Sequence, residues 1–206
     1  IPKCKYYLNN DVEDSHVDFD YLNRVIAKYM HKGYRVISLC YNNKSNNNFV
    51  YVGSVLLKDE IRKDAKEGIK LIKSSGVKMI MVTGDSLDTA LFISKELNLL
   101  NDDDIYLTSS DLSLMSDDEI KSKINKIKIV ARAKPHDKSR LVKIIKEMNL
   151  VVGMTGDGIN DAAALKKCDV GFAMGSGTDV AKEASDIVIL DDNINSISMA
   201  ILFGRT

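Results

Sequence analysis

Three short stretches of the sequence place charged and hydroxyl side chains directly after apolar runs. "GMTGDGINDAAALK" holds Asp157 between two glycines and then Asp161, while "TGDSLDTA" begins with Thr83 and "ARAKPHDKSR" carries Lys138. A carboxylate in a tight glycine turn suits Mg²⁺, a hard cation that prefers oxygen ligands. A hydroxyl and a lysine near helix N-termini suit a phosphate. Together these residues indicate phosphoryl transfer, a chemistry that depends on positioning and charge neutralisation.

The elements that must position these residues follow from an alternation of apolar runs and helical patterns. The runs are "FVYVGSVLL", "VKMIMV", "IKIVA", "LVVGM", "DVGFAM" and "DIVIL". Helices are predicted from about Ile61 to Ser74 and after Ser86, His136 and Asn160. Such alternation is typical of an α/β protein with a parallel sheet, and runs of consecutive apolar residues are expected in strands covered on both faces.

The helix after His136 has the clearest period, with apolar residues at Leu141, Ile144, Ile145 and Met148. Because parallel strands point the same way, the loops that follow them lie along one edge of the sheet, where ligands bind. Each signal alone has an ordinary explanation, such as a surface lysine or an acidic residue at a helix N-terminus. Their coincidence at three strand ends is what predicts a site.

The first fifty residues follow a different pattern. A tyrosine-rich strand-like start, a helix near Phe19 to His31, the strand "YRVISLCY" and the turn "NNKSNNN" predict a helix beside antiparallel strands. We place a domain boundary near Val52, which gives domains 1–52 and 53–206.

Composition excludes several classes of protein. Lys and Arg together number 29, and Asp and Glu together also number 29, so no basic surface is expected to bind nucleic acid. No apolar run approaches the roughly 20 residues of a membrane helix, so the chain reads as soluble. It has neither an initiator Met nor a signal peptide and looks like a piece of a longer protein. Cys4, Cys40 and Cys168 form no CxxC pair and suit a reducing compartment.

The motifs resemble the phosphorylation domain of P-type cation-transporting ATPases, and most closely their calcium-pump branch. The resemblance rests on "TGD", "KPHDK", "MTGDGINDAAALKKCDVGFAMGSGTDVAKEASDIVILDDN" and "GRT", and covers about residues 50–206. "KGYRVISLCY" is similar to the end of the nucleotide-binding domain. The implied fold is a Rossmann-like α/β parallel sheet of the haloacid-dehalogenase-like type, with a small α+β remnant of the nucleotide-binding domain. The implied function is ATP hydrolysis, through Mg²⁺ and an aspartyl-phosphate, coupled to transport of a cation such as calcium.

The resemblance also implies roles for individual residues. Asp157 would be the Mg²⁺ ligand, supported by Asp161, while Thr83 and Asn160 would hydrogen-bond the phosphoryl group and Lys138 would pair with it.

Four further residues would face ATP. They are Gly84, which lets the backbone approach a ligand closely, Asp85, Arg132, and Arg62, which lies in "DEIR" where the family has "DPPR". The implied partners are the transported cation and the rest of the same polypeptide, namely its nucleotide-binding, actuator and transmembrane domains. The implied location is the cytoplasmic face of a membrane.

The family's nucleophile is the Asp of a "DKTGT" stretch, which does not occur in this sequence. "DFDYL", residues 18–22, resembles a phosphatase nucleophile pattern, but we predict that it starts a helix. Two other interpretations stay open: a soluble phosphatase of the same superfamily, and a non-catalytic regulatory domain that binds Mg²⁺ and phosphate. The fragment itself is expected to be inactive.

The resemblance implies that the missing nucleophile strand would be central, between the strands ending at Val82 and Met154. Buried N–H and C=O groups without partners would cost roughly 1–3 kcal/mol each. We therefore predict that residues 78–82 pair directly with residues 150–154, or that a strand from a neighbouring chain fills the slot.

Overall fold

The computed structural model describes residues 4–9, 12–14, 18–43 and 48–204. The chain forms two compact units, Ile1–Glu60 and Ile61–Thr206. The predicted boundary near Val52 is therefore displaced, because this residue lies inside a strand, Asn48–Leu57, that is hydrogen-bonded along its length to the preceding strand. In the part of the chain that the structure describes, no helix is both long and apolar enough to cross a bilayer.

The first unit is a small α+β unit, as predicted. Its four-stranded sheet has the order β2-β1-β4-β3, in which β1 and β4 are parallel and the other pairs antiparallel. Its elements are β1 Cys4–Asn9, β2 Val12–Asp14, α1 Phe19–Met30, β3 Arg35–Asn43 and β4 Asn48–Leu57. The Asp18 carboxylate accepts a hydrogen bond from the Tyr21 N–H at 2.8 Å, so "DFDYL" starts a helix as predicted. Residues 44–47 of the asparagine-rich turn lie outside the described residues.

The second unit has the predicted α/β architecture, with helices between parallel strands. The strands are β5 Met81–Val82, β6 Ile105–Thr108, β7 Ile127–Ala131, β8 Gly153–Gly156, β9 Val170–Met174 and β10 Ile187–Ile189. The helices are α2 Ala65–Ser74, α3 Leu87–Glu96, α4 Ser109–Leu114, α5 Asp117–Lys123, α6 Pro135–Glu147, α7 Ala162–Leu165, α8 Asp179–Glu183 and α9 Ile194–Phe203. A 3₁₀ turn, Ile159–Asp161, precedes α7.

The parallel strands form two half-sheets rather than one sheet. One has the order β5-β7-β6 and the other β10-β9-β8. Within these described strands β5 pairs only with β7 and β8 only with β9, so the predicted direct pairing of residues 78–82 with 150–154 is wrong. Gly153 and Thr155 of β8 are exposed, so the cost that we assigned to buried backbone groups without partners does not apply to these two residues. Filling of the slot by another chain stays a prediction.

Helix α6 packs against both half-sheets. Its Leu141 and Ile144 belong to a buried cluster with residues of β7, α4 and α5. Its Val142, on another side of the helix, packs with Val152, which precedes β8, and with Ala164 of α7. Val77 and Met79, which precede β5, also pack with Phe172 of β9 and Ile189 of β10. Side-chain packing therefore connects the two half-sheets, and among the described strands no hydrogen-bonded pairing does.

Candidate active site

Lys138 lies in the first turn of α6, where two features fix the start of the helix. Pro135 occupies the first helical position, for which its fixed φ is suited. The Asp137 carboxylate is almost fully buried and accepts hydrogen bonds from the Lys134 N–H at 2.8 Å and the Ser109 hydroxyl at 2.7 Å. The start of α6 is thus tied to the start of α4. Sequence reasoning missed Asp137 and Ser109, although a carboxylate at the third helical position is a recognisable capping signal.

The Lys138 ammonium donates to Asp161 Oδ1 at 2.5 Å. The other oxygen of that carboxylate, Oδ2, accepts the backbone N–H groups of Asp157 and Gly158, each at 3.3 Å. Asp161 itself is buried. One carboxylate therefore holds the lysine of α6 against the loop that follows β8, and three of the predicted site residues come together here.

Gly156 is required by this packing. A Cβ at this position would lie 2.5 Å from the Asp161 Cβ, closer than real side chains approach. Gly177 has a similar role, because a Cβ there would lie 3.0 Å from the Asp157 carbonyl oxygen. That oxygen accepts a hydrogen bond from the Thr178 N–H at 2.8 Å. Sequence reasoning did not include Gly177 in the site, although the "GSG" stretch marks it.

Asp157 and Asn160 are exposed at the end of β8. The exposed Asp157 carboxylate fits Mg²⁺, which is bound through one or two carboxylates and keeps several waters. Both oxygens of Asp161 are already hydrogen-bonded, so it fits the supporting role better than that of a ligand. Among the described residues, no group of three or more His, Cys, Asp or Glu side chains is placed to hold a metal ion.

The loops after β5 and β7 are joined by backbone hydrogen bonds. The Ala133 N–H donates to the Thr83 carbonyl at 2.8 Å, and the Arg132 N–H donates to the Asp85 carbonyl at 2.9 Å. Arg132 has a left-handed backbone, with φ of 52°, a conformation that costs energy for a residue with a Cβ and that concentrates at functional sites. Thr83, Asp85 and Arg132 therefore lie together, and their contacts with phosphate and nucleotide stay predictions.

Gly84 is exposed between Thr83 and Asp85. A Cβ on Gly84 would meet no atom within 4 Å, so packing does not explain the glycine. That the Gly84 backbone lets a ligand approach closely stays a prediction.

Arg62 makes its hydrogen bonds elsewhere. Its guanidinium donates to the carbonyl oxygens of Asp192 at 2.8 Å and Asp191 at 3.4 Å, in the loop after β10. The Asp192 carboxylate accepts the Ser176 N–H at 3.0 Å, and this hydrogen bond holds the pKa of Asp192 below its usual range. Arg62 thus braces this loop, and its predicted contact with ATP stays a prediction.

Comparison with known families agrees with this fold and site. The profile of the haloacid dehalogenase-like hydrolases matches residues 17–169, and a second profile of that description matches residues 139–201. The chain belongs to the haloacid dehalogenase-like hydrolase family.

Within that family its relatives are cation-transporting ATPases. It is 36% identical over 96% of its length to calcium-transporting ATPase 2 of Schizosaccharomyces pombe. It is 36% and 37% identical over its whole length to calcium-transporting ATPase 1 of Bacillus cereus and the plasma membrane-type calcium-transporting ATPase 2 of Arabidopsis thaliana. The chain spans 17%, 24% and 22% of these three proteins.

A solved structure of a P-type ATPase is also similar to this chain. The crystal structure of a zinc-transporting PIB-type ATPase in the E2·Pi state matches 93% of this chain with a TM-score of 0.63 and 27% identity. The chain covers 26% of that protein. The resemblance to P-type ATPases is confirmed.

Proposed function

We propose that this chain is the phosphorylation domain, with the end of the nucleotide-binding domain, of a P-type ATPase that couples ATP hydrolysis to cation transport. Calcium is the proposed cation, because it is the ion named for the relatives that are 36–37% identical. The observation that carries the proposal is the contact between Lys138 and Asp161 beside the exposed Asp157, at the edge where the parallel strands end.

Each residue has a role set by its surroundings. Lys138, held by Asp161, neutralises charge on the transferred phosphoryl group. Asp157 binds Mg²⁺, which when bound supplies further charge neutralisation for the same group. Thr83 and Asn160 donate hydrogen bonds to the phosphoryl oxygens.

The loops joined at Thr83 and Asp85 form the side of the site that faces ATP. There Arg132, beside the open space at Gly84, contacts the nucleotide.

The nucleophile in this proposal is the Asp of a "DKTGT" stretch in another part of the same polypeptide. Its strand enters between β5 and β8, each of which has one edge without a partner among the described strands. A strand placed there completes one continuous sheet and brings the aspartate to the edge that carries Thr83 and Asp157.

The test uses the full-length polypeptide that contains this chain, incubated with γ-labelled ATP and Ca²⁺ and quenched in acid. Wild-type protein should form an acid-stable, hydroxylamine-sensitive phosphoenzyme, and Lys138→Ala should lower its yield by about a hundredfold. Lys143→Ala is the matched control, because Lys143 lies on the same helix with an exposed side chain that pairs with Glu147. Hydrolysis of small phosphate esters without a Ca²⁺-dependent phosphoenzyme would favour the soluble phosphatase. Binding of Mg²⁺ and phosphate without turnover would favour the regulatory domain.

A further inference from the structure

A pocket of about 260 Å³ lies at the opposite edge of the half-sheet from Thr83 and Lys138. Its wall includes the segment before β5 and the start of β7, where the parallel strands begin. Three lysines line it, Lys73, Lys78 and Lys128, together with the apolar side chains of Val77, Met79 and Leu99. The pocket is therefore both cationic and partly apolar.

None of the three lysines of this pocket forms an ion pair with a carboxylate of the described residues. The Lys73 ammonium donates to the backbone carbonyl of Asn98 at 3.0 Å, and the Lys78 ammonium donates to the Asn125 side-chain oxygen at 2.6 Å. Both acceptors are neutral. Within the described ranges the residues that line the pocket include no carboxylate, so no acidic side chain there balances these charges.

Lys128 is the most informative of the three. It is half-buried in β7, between the fully buried Ile127 and Ile129. Within the described part of the chain it makes no hydrogen bond and no ion pair. Lys73 and Lys78 are exposed at the same pocket. The Lys128 ammonium therefore has donors free for an anion bound there, and the other two lysines add positive charge beside it.

We propose that this pocket binds a phosphate-bearing anion, whose charge is met by Lys73, Lys78 and Lys128 and whose apolar part contacts Val77, Met79 and Leu99. The lysine ammonium, a compact charge with several donors, is suited to a phosphate group. A free phosphate ester and the headgroup of an anionic phospholipid share this chemistry. The proposal is independent of the function proposed above, because none of its residues belongs to the candidate active site.

The first experiment titrates inorganic phosphate into the chain at low salt and follows the amide resonances of Val77, Met79 and Leu99. These resonances should shift, and Lys128→Gln should weaken the apparent affinity by about tenfold, because one charge-assisted contact is lost. Lys126→Gln is the matched control, since Lys126 lies just before the same strand with an exposed side chain. Lys138→Ala separates the two sites and should leave the shifts at the pocket unchanged.

The second experiment distinguishes the two sources by sedimentation with phosphatidylcholine vesicles that contain or lack phosphatidic acid. Binding that needs phosphatidic acid and is lost in Lys128→Gln identifies a lipid headgroup. Phosphate-induced shifts without vesicle binding identify a free phosphate ester. The proposal is overturned if neither phosphate nor vesicles perturb the pocket, or if Lys126→Gln and Lys128→Gln have equal effects. Thermal unfolding of each variant checks that the fold is intact.

Discussion

The Lys138 ammonium lies 2.5 Å from the Asp161 carboxylate, and the two side chains are only 16% and 7% exposed. The pair joins α6 to the loop after β8, so the lysine is oriented before any phosphate arrives. A charge that is already in place needs no reorganisation during a reaction, which is the main advantage of a preorganised site. Removal of one partner should therefore also affect stability, because it leaves the other charge buried and unpaired.

Replacing Asp161 with Ala should lower the free energy of unfolding by about 3 kcal/mol, because the change leaves a mostly buried ammonium without its partner. It also removes the acceptor of two backbone N–H groups. Urea denaturation followed by circular dichroism measures the loss. Asp118→Ala is the control, since that side chain is 97% exposed.

Removing both charges should lower the free energy of unfolding by less than removing one of them. The Lys138→Met, Asp161→Leu double variant should therefore unfold at a lower urea concentration than wild type but at a higher one than the sum of the single variants predicts. Strict additivity of the two single changes would show that the pair is not coupled.

Gly156→Ala should destabilise the chain by about 1–3 kcal/mol, because the new methyl group has no room beside the Asp161 side chain. Gly158→Ala is a nearby comparison, since a Cβ there comes no closer than 3.7 Å to another atom. It should change stability much less. Thermal unfolding of the two variants under identical conditions decides the point, and equal losses would contradict the packing described for Gly156.

Asp157→Asn should weaken Mg²⁺ binding by roughly tenfold or more, since a carboxylate ligand is replaced by an amide. The fold should be kept, because the Asp157 side chain is exposed. Isothermal titration calorimetry compares the variant with wild type and with Asp103→Asn, an exposed aspartate outside the site. Lys138→Met should leave Mg²⁺ affinity largely unchanged while weakening phosphate binding. Equal Mg²⁺ affinity of Asp157→Asn and wild type would refute the assignment.

The isolated chain should not be labelled by the γ-phosphate of ATP, because it contains no "DKTGT" stretch to supply the nucleophile. Acid-stable, hydroxylamine-sensitive label on this chain, located by mass spectrometry, would contradict that prediction.

Stability should depend on pH through Asp117. The Arg140 Nε–H donates to this carboxylate at 2.8 Å, and this hydrogen bond holds the pKa of Asp117 below its ordinary value of 3.8. Because the folded pKa is the lower one, the contribution is fully present above the unfolded pKa and is lost as pH falls through the folded pKa.

The measurement compares wild type with Asp117→Asn. The difference in urea midpoint should be constant near neutral pH and should shrink as pH falls below about 4. Asp118→Asn is the control on the same helix and should show a much smaller difference at every pH, because Asp118 is 97% exposed. If the difference in urea midpoint between wild type and Asp117→Asn is unchanged at pH 2, the ion pair is not its source.

Strong periodic patterns in the sequence predicted their elements well. The stripe at Leu141 and Ile144 predicted α6, and "IKIVA" predicted β7 residue for residue. Short elements were missed: β6 has only four residues, all half-buried, and follows an acidic stretch, so no apolar run marks it. The run "LVVGM" predicted a strand from its first residue, but Leu150 and Val151 are exposed and β8 begins at Gly153.

The candidate site was predicted at the level of residue types but not of hydrogen bonds. Chain order brought Lys138 and Asp157 to one edge, because that follows from parallel topology alone. The partner of Lys138 could not be assigned, since either Asp157 or Asp161 could meet it. The conformation of the loop after β8 determines which of the two carboxylates meets Lys138, and the hydrogen bonds of Asp161 fix that conformation. The contact of Arg62 could not be predicted from the sequence. Nothing in "DEIR" indicates that its guanidinium binds carbonyl oxygens far along the chain.

Helix α6 joins two half-sheets that share no strand pairing, with Leu141 packed on one side and Val142 on the other. Among the described strands, β5 and β8 thus each keep one edge with no hydrogen-bonded neighbour in a half-sheet that is already formed. A strand that docks on such an edge loses its own conformational freedom. Completion of the sheet should therefore behave like the association of a peptide with a preformed receptor, with a rate set by encounter and a lifetime set by the two ladders it forms.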